Sequence, residues 1–235
     1  MGHTGWLDPK IYGFDQVCRL QVFETWLDSR GLRPGLALDF GCGTGDFSRL
    51  LVHKGWDVIG YDKFVVPNYR SPSFRYLNAI DGQKNAKIFD LVISITVLDA
   101  IMDDTEFVHI LHRLRGAMRT GGHFFFLECS PADRVERSSY QAFRSMPVWV
   151  STLQEAGYCL TETIPFFHPI DAPVRAWSIY ERMAITRVVS RVGNKKWLRL
   201  GSRRLLNIAA RKCLLLESYT PPRSSTINIL AGRAV

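Results

Sequence analysis

The stretch Leu36-Ala-Leu-Asp-Phe-Gly-Cys-Gly-Thr-Gly-Asp-Phe47 decides the fold of this 235-residue chain. Its apolar beginning predicts a buried strand, its alternate glycines predict a tight turn, and the run from Phe47 to Val52 has the spacing of a helix. A strand, a glycine turn and a helix in this order form the place where an α/β sheet accepts a nucleotide-like ligand. The spacing G-x-G-x-G departs from the dinucleotide fingerprint, which would need its third glycine at Asp46.

Strand and helix patterns alternate along the rest of the chain. Apolar runs predict strands over residues 36–40, 57–61, 74–78, 89–95, 123–128, 158–166 and 226–231. Helical spacing predicts helices over residues 9–27, 104–118 and 146–156, besides the one after the glycine turn. This alternation predicts an α/β fold with a parallel, doubly wound sheet in a single domain.

The glycine turn and a second acid together resemble a known family. Asp39 stands two residues before Gly41, and Asp62 ends the predicted second strand, Trp56-Asp-Val-Ile-Gly-Tyr-Asp62. These residues resemble motif I and the second strand of the class I S-adenosyl-L-methionine-dependent methyltransferases. The resemblance implies a Rossmann-like, mostly parallel sheet of seven strands whose last strand runs antiparallel beside the fifth. It also implies S-adenosyl-L-methionine as the cofactor and methyl transfer as the reaction.

The resemblance implies a set of cofactor-binding residues. Gly41, Cys42 and Gly43 are expected under the amino-acid part of the cofactor, with Asp39 touching it directly or through water. Asp62, followed by Lys63, is expected at the ribose, because a carboxylate accepts two hydroxyl hydrogens. The remaining candidates are Tyr12 and Arg19 for the cofactor carboxylate, Asn78, Ile80 and Asp81 for the adenine, and Ile95 at the end of the fourth strand. Three alternatives stay open. The glycines could only reverse the chain, Asp62 could be only a polar loop residue, and Arg19 could lie on the surface as a solvated charge.

The segment after the fourth strand carries the candidate chemistry. Ser94-Ile-Thr-Val-Leu-Asp-Ala100 resembles the corresponding segment of methyltransferases that act on sugars, lipids and small metabolites, but Ala100 stands where many of them have a histidine. Three candidate bases remain, and the sequence does not rank them: Asp99, Glu128 and His168. Methyl transfer can proceed by positioning alone, although a hydroxyl acceptor favours a nearby base.

The acceptor is predicted to be a saccharide, a lipid-linked molecule or another small molecule that is methylated on oxygen. Tyr140 and Arg144 are the candidate acceptor-binding residues, because residues 140–149 resemble a segment beside the acceptor pocket of glycan-modifying methyltransferases. An RNA methyltransferase and a non-catalytic, membrane-associated partner protein that binds S-adenosyl-L-methionine stay open as alternatives. No zinc knuckle or triad of metal-binding acids stands out, so no metal is expected.

The positive charge of the chain is local. The formal net charge is +8, yet residues 172–217 alone hold eleven Lys or Arg and only two acids, Glu181 and Glu217. Two amphipathic helices with cationic faces are predicted there, as an insertion between the sixth and seventh strands. The insertion has three open interpretations: a lid over the acceptor pocket, a surface that docks on anionic membrane lipid, or a nucleic-acid contact.

The cysteines and the hydropathy predict a cytoplasmic protein. The five cysteines, at positions 18, 42, 129, 159 and 213, are scattered and form no C-x-x-C pair, as is typical of reduced thiols. No signal-peptide pattern and no apolar run of about 20 residues is present. Docking of the basic insertion would bring the protein to the inner face of the membrane.

Overall fold

The computed structural model describes residues 9–65, 67, 69–77, 88–131, 136–137, 140–166 and 227–235. The chain divides into two compact units, one formed by residues 1–32 and 167–224 and the other by residues 33–166 and 225–235. The basic insertion of residues 172–217 lies outside the described residues, so the insertion and the single-domain organisation stay predictions.

The first unit contributes one described helix, α1 (Pro9–Ser29). The sequence predicts this helix over residues 9–27, and the structure extends it by two residues. Within α1, the rings of Phe23 and Trp26 stack with centroids 6.2 Å apart, as the three-residue spacing on one helix face allows.

The described residues of the second unit form the sheet and three α-helices. Its strands are β1 (Leu36–Phe40), β2 (Asp57–Tyr61), β3 (Phe74–Leu77), β4 (Phe89–Ile95), β5 (Met118–Cys129), β6 (Glu136–Arg137), β7 (Ala142–Phe143), β8 (Tyr158–Phe166) and β9 (Ile227–Ala234). Its helices are α2 (Asp46–His53), α3 (Asp104–Ala117) and α4 (Met146–Glu155), with a 3₁₀ turn at Leu98–Ala100. Among the described helices, none is both long and apolar enough to cross a membrane.

The main sheet has seven strands in the order β3-β2-β1-β4-β5-β9-β8. The first five strands in chain order pair in parallel, whereas β9 lies antiparallel between β5 and β8. This confirms the predicted mostly parallel, Rossmann-like sheet with an antiparallel last strand. The strand order reverses at β1, which lies between β2 and β4, and ligands bind at such a switch point.

The core lies between the sheet and the helices that cover it. Phe124 and Phe126 of β5 are fully buried, and the ring of Tyr158 meets each of them edge to face. Phe107 of α3 packs edge-on against Trp149 of α4, with centroids 4.9 Å apart. Burial of such side chains contributes about 1.5–3 kcal/mol each, and it fixes the sheet as a rigid support for the loops at its edge.

The start of β5 differs from the prediction. The sequence predicts a helix through residue 118 and a strand from residue 123, but β5 already pairs with β4 at Met118. The register shifts between Phe89 and Leu91, so that Phe89 faces Met118 while Leu91 faces His123. Gly121, with φ of 77°, lies within this shift and takes a backbone conformation that few other residues adopt.

Candidate functional site

The glycine turn after β1 is held against the end of β2. The backbone N–H groups of Gly41 and Cys42 both donate to the Tyr61 carbonyl, at 2.7 and 2.9 Å. Gly41, Gly43 and Gly45 all have positive φ, of 78°, 50° and 84°, which explains why the motif needs glycine. Gly45 then precedes the first residue of α2, so the turn ends at the N-terminus of a helix.

The surroundings of two of these glycines differ. A Cβ at Gly41 would overlap the side chain of Val97, which follows β4, so this part of the turn is tightly packed. A Cβ at Gly43 would have no atom of the structurally described residues within 4 Å. The backbone at Gly43 therefore borders open space at the switch point of the sheet.

Asp62 fastens the turn to β2. Its Oδ2 accepts the Gly43 N–H at 2.9 Å, and its Oδ1 accepts the N–H groups of Phe64 and Val65, both at 2.8 Å. A carboxylate offers about four acceptor positions, so three donors leave capacity for a ligand hydroxyl. The next residues are exposed: Lys63 lies with its Nζ 5.6 Å from the centroid of the Phe64 ring, and Phe64 is 78% exposed.

Asp39 lies beneath the same turn. Its carboxyl group is buried and accepts the Ser48 hydroxyl at 2.6 Å. Burial raises the pKa of Asp39 from 3.8 to about 7, because desolvation outweighs the hydrogen bonds from Ser48. Burial likewise raises the pKa of the Cys42 thiol far above its usual range, so Cys42 stays neutral.

Glu128 organises the turn that follows β4. It is fully buried at the end of β5, and its Oε1 accepts the Ser94 hydroxyl at 2.8 Å and the N–H groups of Val97 and Leu98 at 3.2 Å. Its Oε2 faces the Asp99 N–H at 3.4 Å. Burial, together with the nearby carboxyl group of Asp99, raises the pKa of Glu128 to about 8, although the hydrogen bonds from Ser94, Leu98 and Val97 lower it.

The other candidate base in this turn, Asp99, is 1% exposed and belongs to the 3₁₀ turn after β4. Ile95 is half-buried at the end of β4, and Thr96 follows it with φ of 52°. A β-branched residue seldom adopts that conformation, so the backbone at Thr96 is strained. Asp99, Glu128 and Ile95 thus come together at the carboxyl edge of β4 and β5.

Arg144 lies beside this turn but is itself 1% exposed. Its guanidinium group contacts the Asp104 carboxylate at 2.8 Å and donates to the carbonyls of Ile101 at 2.9 Å and Ala142 at 3.3 Å. The group also lies 3.9 Å from the centroid of the Phe107 ring. In this structure Arg144 therefore binds protein groups, and it links the segment before α4 to the start of α3.

The remaining predicted site residues are less defined. Tyr140 is 53% exposed near the start of β7. Tyr12 and Arg19 lie on α1, and Arg19 is buried. The side chain of Tyr12 does not belong to the described part of the structure. Asn78, Ile80, Asp81 and His168 lie outside the described residues, so their roles stay predictions.

Comparison with known proteins decides the family. The profile of a family described as "Methyltransferase domain" matches residues 20–170, which is more than half of the chain. The chain belongs to the class I S-adenosyl-L-methionine-dependent methyltransferases. No protein of curated function matches this methyltransferase in sequence.

Solved structures resemble the methyltransferase in fold. A Burkholderia thailandensis 1,6-didemethyltoxoflavin-N1-methyltransferase with S-adenosylhomocysteine is 13% identical, with a TM-score of 0.59 over 96% of this chain and 81% of that one. The Haemonchus contortus phosphoethanolamine N-methyltransferase 2 with S-adenosyl-L-methionine is 15% identical, with a TM-score of 0.63 over 99% of this chain. The match spans only 58% of the Haemonchus protein. A Mesorhizobium loti S-adenosylmethionine-dependent methyltransferase gives 15% identity and a TM-score of 0.53, over 91% and 99% of the two chains.

The residues of the methyltransferase fit its cofactor. S-adenosyl-L-methionine carries ribose hydroxyls and an amino-acid end, and the glycine turn offers open backbone at Gly43 beside the carboxylate of Asp62. Asp62 retains acceptor capacity for a hydroxyl, and no atom of the described residues lies within 4 Å of where a side chain at Gly43 would begin. Within the described part of the chain, no group of three or more His, Cys, Asp or Glu could hold a metal ion.

Several residues that build the site escaped the sequence analysis. No sequence motif marks Ser48, Thr96 or Val97. Ser48 donates to Asp39, Thr96 has a positive φ, and Val97 packs against Gly41. Ser94, near the end of β4, donates its hydroxyl directly to Glu128, a contact that no sequence pattern indicates. Glu128, by contrast, is among the predicted candidate bases, and an acid that ends a strongly apolar strand is expected to be bonded within the protein.

Proposed function

We propose that this methyltransferase transfers a methyl group to a hydroxyl of a small acceptor, namely a saccharide, a lipid-linked saccharide or a similar molecule. The observation that carries the proposal is the pair of buried carboxyl groups, Asp99 and Glu128, at the carboxyl edge of the sheet. A hydroxyl must lose a proton as it is methylated, and the pair provides an acceptor for that proton near the glycine turn.

The proposed methyl transfer is a single displacement at the methyl carbon. When bound, S-adenosyl-L-methionine supplies a sulfonium methyl group, and the S–CH₃ electron pair returns to sulfur as S-adenosylhomocysteine forms. The acceptor oxygen forms the new O–CH₃ bond, and its proton passes to Asp99. A base works best with a pKa near the working pH, and two adjacent buried carboxyl groups hold a proton near neutrality.

Two observations favour a small acceptor. Met102 and Tyr140, 36% and 53% exposed, flank the segments joined by Arg144 and offer apolar surface beside the turn. The Burkholderia and Haemonchus proteins are named for a small heterocycle and for phosphoethanolamine, which favours a small acceptor here. Both of those enzymes are N-methyltransferases, and amines are therefore the natural comparison for the proposed alcohol acceptors.

The test compares matched alcohols and amines. The protein is incubated with S-adenosyl-L-methionine and a panel of sugars, lipid-linked saccharides and their amino analogues, and release of S-adenosylhomocysteine is measured. We expect turnover with the alcohols, and a loss of about 10²–10⁴-fold in D99N, as is typical when a general base is removed. D90N is the matched control, because Asp90 bonds to Leu36 and Arg119 near the start of β4, at the opposite end of that strand.

Other outcomes would contradict the proposal. Turnover with the amines alone, unaffected by D99N, would assign N-methylation by positioning. Methylation of RNA in place of the small acceptors would favour the RNA methyltransferase. Tight binding of S-adenosylhomocysteine with no turnover on any acceptor would favour the non-catalytic partner protein.

A further inference from the structure

The carboxyl group of Glu128 joins the ends of two neighbouring strands. It receives the Ser94 hydroxyl from β4 and faces three successive backbone N–H groups of the following turn, those of Val97, Leu98 and Asp99. The three N–H groups lie at the start of the 3₁₀ turn Leu98–Ala100, which has no side-chain cap of its own. Glu128 therefore caps this turn from a different strand, 29 to 31 residues away along the chain.

The turn that Glu128 caps begins with a strained residue. Thr96 has φ of 52°, and the left-handed region costs a residue with a Cβ about 1–2 kcal/mol. The Thr96 N–H donates to the Leu127 carbonyl at 2.7 Å, one residue before Glu128. Such strain persists only where the surroundings over-determine the conformation. Here Leu127 and Glu128, at the end of β5, accept the N–H groups of residues 96–99.

The same turn contacts the glycine turn directly. The side chain of Val97 fills the space in which a Cβ of Gly41 would lie. A displacement of Val97 would thus move or loosen the backbone of Gly41, whose N–H is bonded to Tyr61. Glu128, Val97 and Gly41 form a continuous series of contacts from β5 to the glycine turn.

We infer that Glu128 is a positioning residue, which holds residues 96–99 against Gly41 and so shapes the surface on which S-adenosyl-L-methionine rests. The side chain of Glu128 has no exposed surface, and four donors already face its oxygens. Glu128 therefore acts through the residues that it bonds, and Asp99, which lies in the turn that Glu128 holds, stays the proposed proton acceptor. This inference rests on binding of the cofactor at the glycine turn, as the proposed function requires.

Two variants at position 128 distinguish the effect of side-chain length from the effect of negative charge. In E128Q the amide oxygen still accepts the three donors of Oε1, and only the weakest contact, to the Asp99 N–H, is lost. In E128D the carboxylate is one methylene shorter and cannot reach both Ser94 and the turn. Binding of S-adenosylhomocysteine is measured by calorimetry, and hydrogen exchange is followed at residues 97–99 and in β1.

We expect E128Q to bind S-adenosylhomocysteine within about 3-fold of wild type and E128D to bind at least about 10-fold more weakly, a difference of about 1.4 kcal/mol. Exchange in E128D should accelerate at residues 97–99 and stay unchanged in β1, whereas general destabilisation would accelerate both. V97A keeps every donor to Glu128 but removes the contact with Gly41, and we expect it to weaken binding as well. It also serves as the test if E128D does not fold.

The inference is overturned if E128D, or V97A in its place, binds S-adenosylhomocysteine as wild type does. It is also overturned if E128Q loses as much affinity as E128D, because charge and not reach would then matter. Failure of the wild-type protein to bind S-adenosylhomocysteine is a separate result, which would refute the proposed function instead.

Discussion

The Asp62 carboxylate accepts the Gly43 N–H at 2.9 Å, so the acid predicted to bind the ribose also holds the glycine turn in place. Its second oxygen fixes the backbone of Phe64 and Val65. One side chain therefore links β2, the glycine turn and the exposed loop at residues 63–65. Changes at Asp62 should affect both the shape of the turn and its affinity for the cofactor.

Replacement of Asp62 tests the ribose contact. We expect D62A to weaken binding of S-adenosylhomocysteine by about 1–3 kcal/mol, the contribution of a hydrogen bond to a charged group. D62N preserves the shape of the side chain and one acceptor oxygen, so it should lose less affinity for S-adenosylhomocysteine than D62A does. Calorimetry on both variants measures the difference in affinity. Unchanged affinity in D62A would show that Asp62 does not contact the ribose.

The two glycines of the turn should respond differently to alanine. G43A places a methyl group in open space at φ of 50°, so it should cost only about 1–2 kcal/mol of folding free energy yet abolish binding of S-adenosylhomocysteine. G41A combines positive φ with overlap against Val97, so it should lower the melting temperature more. Thermal denaturation and calorimetry distinguish them, and a G43A protein that binds normally would contradict the proposed location of the cofactor.

The stability of the protein should fall as the pH rises from about 4 to about 8. The pKa of Asp39 is raised from 3.8 to about 7 and that of Glu128 from 4.5 to about 8, so the folded protein retains protons that the unfolded chain has lost. The stabilisation is complete below pH 4 and is lost through the folded pKa values. The free energy of unfolding, measured from pH 4 to 9, should vary less steeply in D39N. The control D57N, at an exposed aspartate, should retain the wild-type slope.

The contacts of Arg144 should contribute substantially to the free energy of unfolding. R144K keeps the charge, but a single ammonium group cannot bridge Asp104, Ile101 and Ala142 at once, so we expect a loss of about 2–3 kcal/mol. R119K is the matched control, because the Arg119 side chain is 55% exposed beside Asp90 and its pair is worth about 0–1 kcal/mol. Denaturant unfolding compares the two, and equal losses would show that the Arg144 contacts contribute little.

The basic segment 172–217 can be tested for lipid binding from its sequence alone. If it docks on a membrane, anionic vesicles should sediment the protein, and the triple variant R199E/R203E/R204E should stay in solution, since each cation contributes about 1 kcal/mol at such a surface. Neutral vesicles are the control. Retention on RNA in place of vesicles would favour the nucleic-acid interpretation, and binding to neither would favour the lid.

The sequence alone predicted the sheet from its apolar periodicity, and it indicated the cofactor through the family resemblance carried by the glycine turn, Asp39 and Asp62. The glycine spacing, Asp39 and Asp62 are local signals, because a turn with positive φ and an acid after a buried strand each depend on a few adjacent residues. The roles of Glu128, Arg144 and Thr96 depend instead on contacts between elements tens of residues apart, such as the bonds from β5 to the turn after β4. Only the tertiary structure decided these roles, since burial and hydrogen bonding of a carboxyl or guanidinium group follow from which strands and helices meet.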